Sequence, residues 1–508
     1  MSTKRALIPI LLFFTFLSVM AVIQFASPDM PDNDGFYHIK MAWLMRTEGL
    51  KPDFQWLPLT ILNADEFYDH HFLYHVALIP FTFGDLRIGA KWSAVAFSAL
   101  AFLSIWVLLR RQKIPLAWLW SLLLLAISEA FLYRMSITRA QSLSLAMLAL
   151  GFMWMLENKH KHLAVLSFFY VWAYNAFPLM PALAFLYCVA ILIIEHKLDI
   201  KPLIWSSVGV VAGLIINPYF PDNLIFTYHH FLPKLLDATS VRVGNEWYPY
   251  ETETLLNNSL LALLLFVSAT FGVGLTNRKM DTRTAASFLI ALLFGFMLFK
   301  SRRFIEYFPP FALIFAAFAW APLFTKEYQL LTWSSIFNKN NNFLSNYPKV
   351  TKFLQINIPL FVLTIMLILG MIKNIPATQG QIAKSKPYDL YQNASLWLQE
   401  HTSAGERVFQ TDWDDFPRLF FYNTHNTYLI GLDPTYLQLY DEDLYKTWVD
   451  ITRGNVEQPS KIILEEFLAR YVHSDLNHKA FLEQVAKDLN MLEVYRDDQA
   501  VIFEIIQP

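Results

Sequence analysis

Acidic and histidine side chains stand together directly after the first hydrophobic run of this chain. The stretch "PDNDGFYHIK", residues 31–40, contains Asp32, Asp34 and His38. A carboxylate in that setting can remove a proton from an acceptor, or it can hold a divalent cation such as Mg²⁺ or Mn²⁺. The structural alternative is that Asp34 satisfies backbone donors at the start of the helix "DGFYHIKMAWLMR".

A second histidine group lies in "DEFYDHHFLYH". His71 and His75 are four residues apart and would share one face of a helix. Together with Asp69 and His70 they could bind a metal ion, because imidazole and carboxylate suit several divalent ions. Phe72 stands where the zinc-protease spacing has a glutamate, so hydrogen bonding to a polar ligand and interfacial packing are the alternatives.

Arginines gather near the ends of apolar segments in "SEAFLYRMSITRAQSLSL" and "FKSRRFIEYFPPF". Two guanidiniums facing a cavity can grip a phosphate or pyrophosphate through paired hydrogen bonds, which Arg134 and Arg139 could do. Arg302 and Arg303 precede the later apolar segment and could add a further cation. The alternatives are arginines that anchor helix ends or contact anionic lipids. Glu129 lies near the first arginine pair.

The composition defines the class of protein. Of the 508 residues 55% are hydrophobic and 16% charged, and the mean hydropathy is +0.34. The apolar residues come in blocks long enough to cross about 30 Å of hydrocarbon, so the sequence predicts a polytopic membrane protein. A net charge of -2 argues against a nucleic-acid partner, and the single Cys188 excludes an intramolecular disulfide.

The apolar runs predict about eleven α-helical spans, the first of them retained and not cleaved as a signal peptide. Every second connection is basic, and on the opposite face two long loops are rich in Asp, His and aromatic residues, which predicts a cytoplasmic N-terminus and an extracytoplasmic C-terminus. Pro178 and Pro181 mark either a tight hairpin or a kink, and the alternation favours the hairpin. The spans fall near 6–26, 86–109, 114–133, 138–156, 163–177, 179–195, 203–217, 256–275, 284–300, 303–323 and 354–373.

Two domains follow from this pattern. A transmembrane domain over 1–374 carries long outer loops at 27–85 and 218–255, and a small soluble α/β domain covers 375–508. The second loop is long enough to act as a lid, and it holds Glu246.

The motif "NDGFYHIKMAWLM" resembles the first outer-loop motif of the catalytic subunit of oligosaccharyltransferase and its archaeal and bacterial relatives. Asp34 matches the acid of that motif, Phe36 and Tyr37 the aromatic pair, His38 the histidine and Lys40 the basic residue. These enzymes belong to the GT-C glycosyltransferases, which use sugars linked to polyprenyl phosphates and include protein mannosyltransferases. The resemblance implies a GT-C-like fold.

Two further segments carry the resemblance. "RMSITRAQSLSLAMLAL" is similar to the segment leading into the fourth span of these enzymes. "SRRFIEYFPPFALIFAAF" looks like a late span of the oligosaccharyltransferase group, in which an arginine approaches the lipid phosphate. The resemblance implies this role first for Arg303 and second for Arg302. The chain departs from the family at the second acidic motif, where it offers only Glu129. It departs again in "QTDWDDFPRLFF", whose single Trp413 is looser than the family's W-W-D motif, so recognition of a peptide sequon does not transfer.

The resemblance implies a membrane glycosyltransferase of the bacterial inner membrane with a periplasmic C-terminal domain. It would transfer a sugar or oligosaccharide, with inversion, from a polyprenyl-phosphate-linked donor to a lipid, glycan or protein acceptor. Asp34 would act as the base, with a divalent cation held by Asp34 and Glu129, and the lipid phosphate would bind Arg134, Arg139, Arg303 and Arg302. The other donor, acceptor or metal candidates are Asp32, His38, Asp69, His71 and Glu246. The rival functions are a flippase for a lipid-linked saccharide and a non-catalytic scaffold of this fold.

Overall fold

A computed structural model describes residues 3–237, 244–275, 279–324 and 348–506 of the chain. The described α-helices are α1 (Thr3–Gln24), α2 (Asp34–Glu48), α3 (Phe72–Leu78), α4 (Leu86–Arg111), α5 (Ala117–Leu122), α6 (Glu129–Ser136), α7 (Gln141–Leu156), α8 (His160–Ala173), α9 (Leu179–Glu195), α10 (Lys201–Ile215), α11 (Asp222–Asp237), α12 (Thr252–Leu275), α13 (Thr282–Lys300), α14 (Phe308–Trp320), α15 (Pro348–Ile382), α16 (Gln392–His401), α17 (Phe416–Tyr422), α18 (Thr435–Tyr440), α19 (Glu442–Thr452), α20 (Ser460–Glu466) and α21 (Lys479–Val485).

The chain forms two compact units. The first unit comprises Met1–Ser27, Lys91–Leu214 and Asn245–Lys384, and the second comprises Pro28–Ala90, Ile215–Gly244 and Ser385–Pro508. The first of the long loops identified in the sequence therefore belongs to the same unit as the C-terminal segment, as does the first part of the second loop. Residues 238–243 of that second loop lie outside the described residues.

Five described helices are long and apolar enough to cross a membrane, and a sixth span is possible if a bent pair counts as one. The five are Leu7–Gln24, Leu86–Arg111, Thr252–Gly274, Thr282–Lys300 and Leu360–Ile382. The remaining predicted spans do form helices, α7 to α10 and α14, but these contain only 13 to 17 residues. At 1.5 Å per residue they are shorter than the hydrocarbon thickness, so the predicted count of eleven is not confirmed.

The prediction of one continuous span over 114–133 is wrong. The chain there forms two helical pieces, Ala117–Leu125 and Glu129–Ser136, which meet at a bend of 80°. Ser128 begins the second piece: its backbone is extended, and its side chain caps the helix by accepting a hydrogen bond from the Phe131 amide at 3.1 Å. Near Pro178 the chain forms two helices, since α8 ends at Ala173 and α9 begins at Leu179, and the hairpin between them stays a prediction.

The second unit contains the predicted α/β domain, built on five strands. These are β1 (Arg407–Gln410), β2 (Thr427–Tyr428), β3 (Tyr471–Asp475), β4 (Met491–Arg496) and β5 (Ala500–Ile505). Their order in the sheet is β2-β1-β3-β5-β4; the first three are parallel, and β5 runs antiparallel to both β3 and β4. The strands are short and mostly buried because β-branched and aromatic residues such as Val408, Phe409 and Val472 fill both faces.

The segment before α3 also joins this sheet. The amide of Tyr428 in β2 donates to the carbonyl of Trp56 at 2.8 Å, and the indole of Trp56 donates to the carbonyl of Thr424 at 2.9 Å. The rings of Phe54 and Trp56 pack around Phe420 on α17. The start of α2 and the C-terminal sheet are thus parts of one folded body.

Candidate functional site

Asp34 is the first residue of α2 and is half-buried. The capping position belongs to Asn33, so Asp34 is not the N-cap that the structural alternative required. A carboxylate in the first helical turn still interacts favourably with the helix dipole. Asn33 makes no capping hydrogen bond with its side chain, so Asp34 lies in the first turn of a helix that has no side-chain cap.

A polar bracket fixes the backbone next to Asp34. The side-chain nitrogen Nδ2 of Asn33 donates to the Asp414 carboxylate at 2.6 Å and to the Asp414 backbone carbonyl at 3.1 Å. The Asn33 oxygen accepts from the guanidinium of Arg418 at 2.7 Å, and Arg418 also donates to the carbonyl of Pro387 at 2.5 Å. Arg418 is 1% exposed. We name Asn33, Asp414 and Arg418 the bracket, and it ties the "TDWDDF" loop to the start of α2.

The bracket lies in an acidic environment. Burial, together with the neighbouring carboxylates Asp32, Asp412 and Asp34, raises the pKa of Asp414 to about 7 against the opposing charge of Lys386. The Lys386 ammonium is 3.7 Å from the Asp414 carboxylate. Asp34 therefore contributes to the acidic surroundings of Asp414.

The stability of the protein should depend on the protonation of Asp414. Its pKa in the folded state lies above the ordinary value of 3.8, so the folded state binds this proton more tightly than the unfolded state does. The stabilisation is complete below about pH 4 and is lost as the pH rises through about 7. We expect the Tm of the wild type in detergent to fall between pH 5 and pH 8 by more than the Tm of Asp414→Asn does. Equal slopes in the two proteins would contradict this assignment.

Two side chains of the second histidine group form a buried chain of hydrogen bonds with His38 of α2. Nδ1 of His38 lies 2.8 Å from Nε2 of His75, and Nδ1 of His75 lies 2.7 Å from Oδ2 of Asp69. Asp69, His75 and His38 are 2%, 0% and 3% exposed. We name these three residues the histidine chain. The sequence grouped Asp69 with His71 and His75; the participation of His38 from α2 is what the structure adds.

His71 borders this chain. Its backbone amide donates to Oδ1 of Asp69 at 3.0 Å, and its ring centroid is 4.8 Å from that of His38. Among the residues that the structure describes, no group of three or more histidine, cysteine, aspartate or glutamate side chains could hold a metal ion. The hydrogen bonds of the histidine chain occupy ring nitrogens that a metal would need. The arrangement of these side chains therefore does not support the prediction that they bind a divalent cation.

The arginines of the first unit converge on one carboxylate. Glu246 accepts hydrogen bonds from Nη1 of Arg134 at 2.9 Å, from Nη1 of Arg139 at 3.1 Å and from Nη1 of Arg303 at 3.3 Å. Burial opposes ionisation of Glu246, but the charges of Arg139, Arg303 and Arg134 outweigh it and hold its pKa well below the ordinary value. We name these four residues the arginine cluster.

Two neighbours hold the arginine cluster in shape. Nε of Arg134 donates to Oε1 of Glu306 at 2.8 Å, and the side chain of Glu306 is fully buried. Nη2 of Arg303 donates to the hydroxyl of Tyr174 at 2.5 Å. Three guanidiniums against the carboxylates of Glu246 and Glu306 give these five side chains one net positive charge. The cluster therefore retains attraction for an anion.

The two remaining candidates of the first unit lie beside the cluster. Arg302 donates to the carbonyl of Pro249 at 3.1 Å and lies over the ring of Tyr250 at 5.2 Å. Glu129 begins α6, the helix that carries Arg134, and is half-buried. Asp34 and Glu129 belong to different units of the chain.

Sequence reasoning missed Asn33, Arg418 and Tyr174. Arg418 carried one usable signal, a lone cation inside the apolar run "FPRLFFY". A fully charged side chain is rarely buried without partners, so its position predicted a buried polar contact. The sequence did not reveal that the contact would be Asn33, 385 residues away.

No family model matches this sequence, and no curated protein matches it. Among solved structures, the chain is similar to the archaeal oligosaccharyltransferase AglB from Archaeoglobus fulgidus, solved with an inhibitory peptide and a dolichol-phosphate. The identity is 12%, the TM-score is 0.64, and the match covers 97% of this chain and 74% of AglB.

Two other solved glycosyltransferases share the fold. ArnT from Cupriavidus metallidurans, bound to undecaprenyl phosphate, is 14% identical with a TM-score of 0.59, and the match covers 99% of this chain and 98% of ArnT. The arabinofuranosyltransferase AftD from Mycobacteria is 12% identical with a TM-score of 0.53, over 98% of this chain and 40% of AftD. The GT-C resemblance is confirmed at the level of the fold, and with its apolar helices the chain is an integral membrane protein.

Proposed function

We propose that this protein is a membrane glycosyltransferase that moves a sugar or oligosaccharide from a polyprenyl-phosphate-linked donor to an extracytoplasmic acceptor. The observation that carries the proposal is the convergence of Arg134, Arg139 and Arg303 on a single carboxylate. The shared fold supports it, because AglB and ArnT were solved with dolichol-phosphate and undecaprenyl phosphate.

The arginine cluster binds the donor phosphate in this proposal. Guanidiniums form paired, charge-assisted hydrogen bonds with phosphate oxygens, as they do with carboxylates. Glu246 thus holds the arginines in place until a phosphate displaces its carboxylate. The same positive charges stabilise the phosphate as the leaving group when the glycosidic bond breaks.

Asp34 supplies the base on the acceptor side. It removes the proton of an acceptor hydroxyl or amide while the acceptor atom forms its bond to the anomeric carbon. The electron pair of the broken carbon–oxygen bond leaves with the lipid phosphate. One displacement of this kind inverts the anomeric carbon. The bracket supports this role, because a base must be held at a fixed position relative to the proton it takes.

A divalent cation, Mg²⁺ or Mn²⁺, remains part of the proposal without entering any of these steps. When bound near Asp34 or Glu129 it would neutralise negative charge at the reacting centre. Loss of transfer after EDTA treatment and its recovery on addition of Mn²⁺ would support this requirement. Transfer that persists in EDTA would remove the cation from the proposal.

The location of the protein is also part of the proposal. We place the protein in a bacterial inner membrane, with the N-terminus in the cytoplasm and the sheet of the second unit in the periplasm. The acceptor class is a lipid, a glycan or a protein outside the cytoplasm.

The test uses the purified wild-type chain in nanodiscs with a radiolabelled pool of polyprenyl-phosphate-linked sugars and an extract of envelope acceptors. We expect consumption of one labelled donor, with release of polyprenyl phosphate, and appearance of label in an acceptor. A double variant of Arg139→Gln and Arg303→Gln serves as the control and should consume none. If no donor is consumed and intact labelled lipid crosses proteoliposomes, the protein is a flippase and the proposal is wrong.

A further inference from the structure

A cavity of about 680 Å³ lies within the second unit. Its walls come from three segments: residues 55–66 of the first long loop, the first half of α11 and the end of α18. Pockets that bind small ligands typically enclose about 300–1,000 Å³. We name this cavity the second-unit groove, and it has room for a ligand of more than one ring.

Buried aromatic rings hold the walls of the groove together. The ring of Phe226 on α11 is 5% exposed, and its centroid lies 5.5 Å from that of Tyr68 and 5.8 Å from that of Tyr436 on α18. The backbone amide of Ile61 donates to the carbonyl of Tyr436 at 3.2 Å, which ties the loop to α18. Walls that are already held together lose little conformational freedom when a ligand binds.

The loop wall presents two carboxylates on an ordered turn. Oδ1 of Asn63 accepts from the backbone amides of Asp65 and Glu66 at 3.0 and 3.1 Å. Nδ2 of Asn63 donates to the carboxylate of Glu66 at 3.2 Å. Asp222, the first residue of α11, adds a third carboxylate from another wall. No group of three such side chains among the described residues could hold a metal ion, so the three carboxylates do not surround a common cation.

The polar lining selects the class of ligand. Besides the three carboxylates it contains the side-chain amides of Gln55 and Asn63, and none of the described lining residues is a lysine or an arginine. Carboxylate oxygens accept hydrogen bonds, while side-chain amides donate and accept them, so this lining suits a ligand with many hydroxyl groups. An anionic ligand would meet like charges in the groove.

One aromatic ring of the lining remains available to a ligand. Tyr440, at the end of α18, lines the groove and is 46% exposed. The face of a tyrosine ring is apolar while its hydroxyl can stay in water. A pyranose has C–H bonds on its faces and hydroxyl groups around its rim, so it can cover such a ring and still donate to nearby carboxylates. The lining therefore matches a neutral saccharide.

The groove belongs to the part of the protein that carries the proposed base. Asp34 and the groove are in the second unit, whereas the arginine cluster is in the first. Phe226 and Tyr436 are members of the same buried cluster as Tyr37, which lies on α2 three residues after Asp34. A ligand in the groove is thus held by the same packed core as α2.

We propose that the second-unit groove binds a neutral oligosaccharide, and that this oligosaccharide is the acceptor of the transfer reaction. The acceptor role rests on the proposed function. Of the three acceptor classes, a lipid, a glycan or a protein, the groove selects the glycan. A hydroxyl of the glycan loses its proton to Asp34 and bonds to the anomeric carbon of the donor sugar, while the bond from that carbon to the lipid phosphate breaks.

The first test measures binding and needs no donor. The full chain in nanodiscs is titrated in a calorimeter with the neutral trisaccharides maltotriose, cellotriose, mannotriose and triacetylchitotriose, and with the anionic trigalacturonate. We expect at least one neutral trisaccharide to bind, and trigalacturonate to bind at least about ten-fold more weakly because of charge repulsion. If no neutral trisaccharide binds, or if trigalacturonate binds equally well, the inference is overturned.

Variants of the lining locate the binding site. Tyr440→Ala removes the exposed ring and Asp65→Ala a carboxylate, and each should raise the Kd by about ten-fold. The matched controls are Tyr228→Ala and Asp53→Ala, since Tyr228 on α11 and Asp53 in the first loop are exposed but are not among the described lining residues. All four side chains are exposed, so the variants should fold. Equal weakening in variants and controls, or no weakening in Tyr440→Ala, would contradict the assignment.

The last test concerns the acceptor role. The trisaccharide that binds is offered as acceptor together with the labelled donor, and Tyr440→Ala should raise the acceptor KM by about ten-fold with kcat and the donor KM within about two-fold of the wild type. An unchanged acceptor KM would overturn the acceptor role. A wild type that binds the trisaccharide but transfers no sugar would reject the proposed function and leave the groove as a saccharide site. Transfer to envelope acceptors without trisaccharide binding would reject the groove and leave the proposed function standing.

Discussion

Replacement of Asp34 by asparagine is expected to lower kcat for sugar transfer by about 10³-fold, within the range that general bases contribute. The amide has the shape of the carboxylate but cannot take a proton. The bracket of Asn33, Asp414 and Arg418 holds the start of α2 without the side chain of Asp34, so the fold should persist. The measurement is the initial rate of label transfer at saturating donor. The donor KM should change by less than about three-fold, because in the proposal the donor phosphate binds the arginine cluster and not Asp34.

Asp32→Asn is the matched control for this experiment. Asp32 lies in the same acidic stretch and its carboxylate accepts the Asn33 backbone amide at 2.7 Å. Its φ of 73° is in the left-handed region, which asparagine tolerates as well as aspartate does. We expect its rate to stay within about three-fold of the wild type. Full transfer by Asp34→Asn, or equal losses in the two variants, would remove Asp34 from its role.

The apolar periodicity and basic loops were sufficient to predict the helices of the first unit. They could not predict that Ala117–Leu125 and α6 would meet at 80°, because the apolar run continues across residues 126–128, where the helix is interrupted. The sequence did not predict the lengths of the helices either, because hydropathy does not show where the backbone stops being helical inside an apolar segment. Helix α14 is an example.

The candidate site divides in the same way. The sequence predicted the grouping of Arg134, Arg139 and Arg303 because all three lie at the ends of apolar runs, where a buried charge is costly and tends to mark a functional site. Their common carboxylate, Glu246, lies 112 residues after Arg134 and 57 residues before Arg303, and only the folded chain shows that they meet. His38 and His75 were both noticed in the sequence, but as members of separate motifs. Periodicity relates residues along one helix, and contacts between helices depend on packing that it does not encode.

The second large effect concerns stability and arises from Arg134. The side chain of Arg134 is 11% exposed, and that of Glu306 is 0% exposed. Oε2 of Glu306 has no hydrogen-bond partner among the described residues. Arg134→Met would leave a buried carboxylate without its main cation, and breaking a buried pair in this way costs about 3–5 kcal/mol. We expect a correspondingly large loss of stability in denaturant unfolding of the purified chain.

Two further variants distinguish this cause from a general loss of packing. In Arg139→Met, Glu246 keeps Arg134 and Arg303, so the loss of stability should be smaller than in Arg134→Met, while binding of polyprenyl phosphate weakens. The double variant of Arg134→Met and Glu306→Gln removes both charges and should recover much of the stability, since a neutral amide is far cheaper to bury than an unpaired carboxylate. If the double variant is as unstable as Arg134→Met alone, the cost lies in the lost volume of the arginine and not in the charge of Glu306. In that case the Arg134–Glu306 pair stabilises the protein mainly through packing.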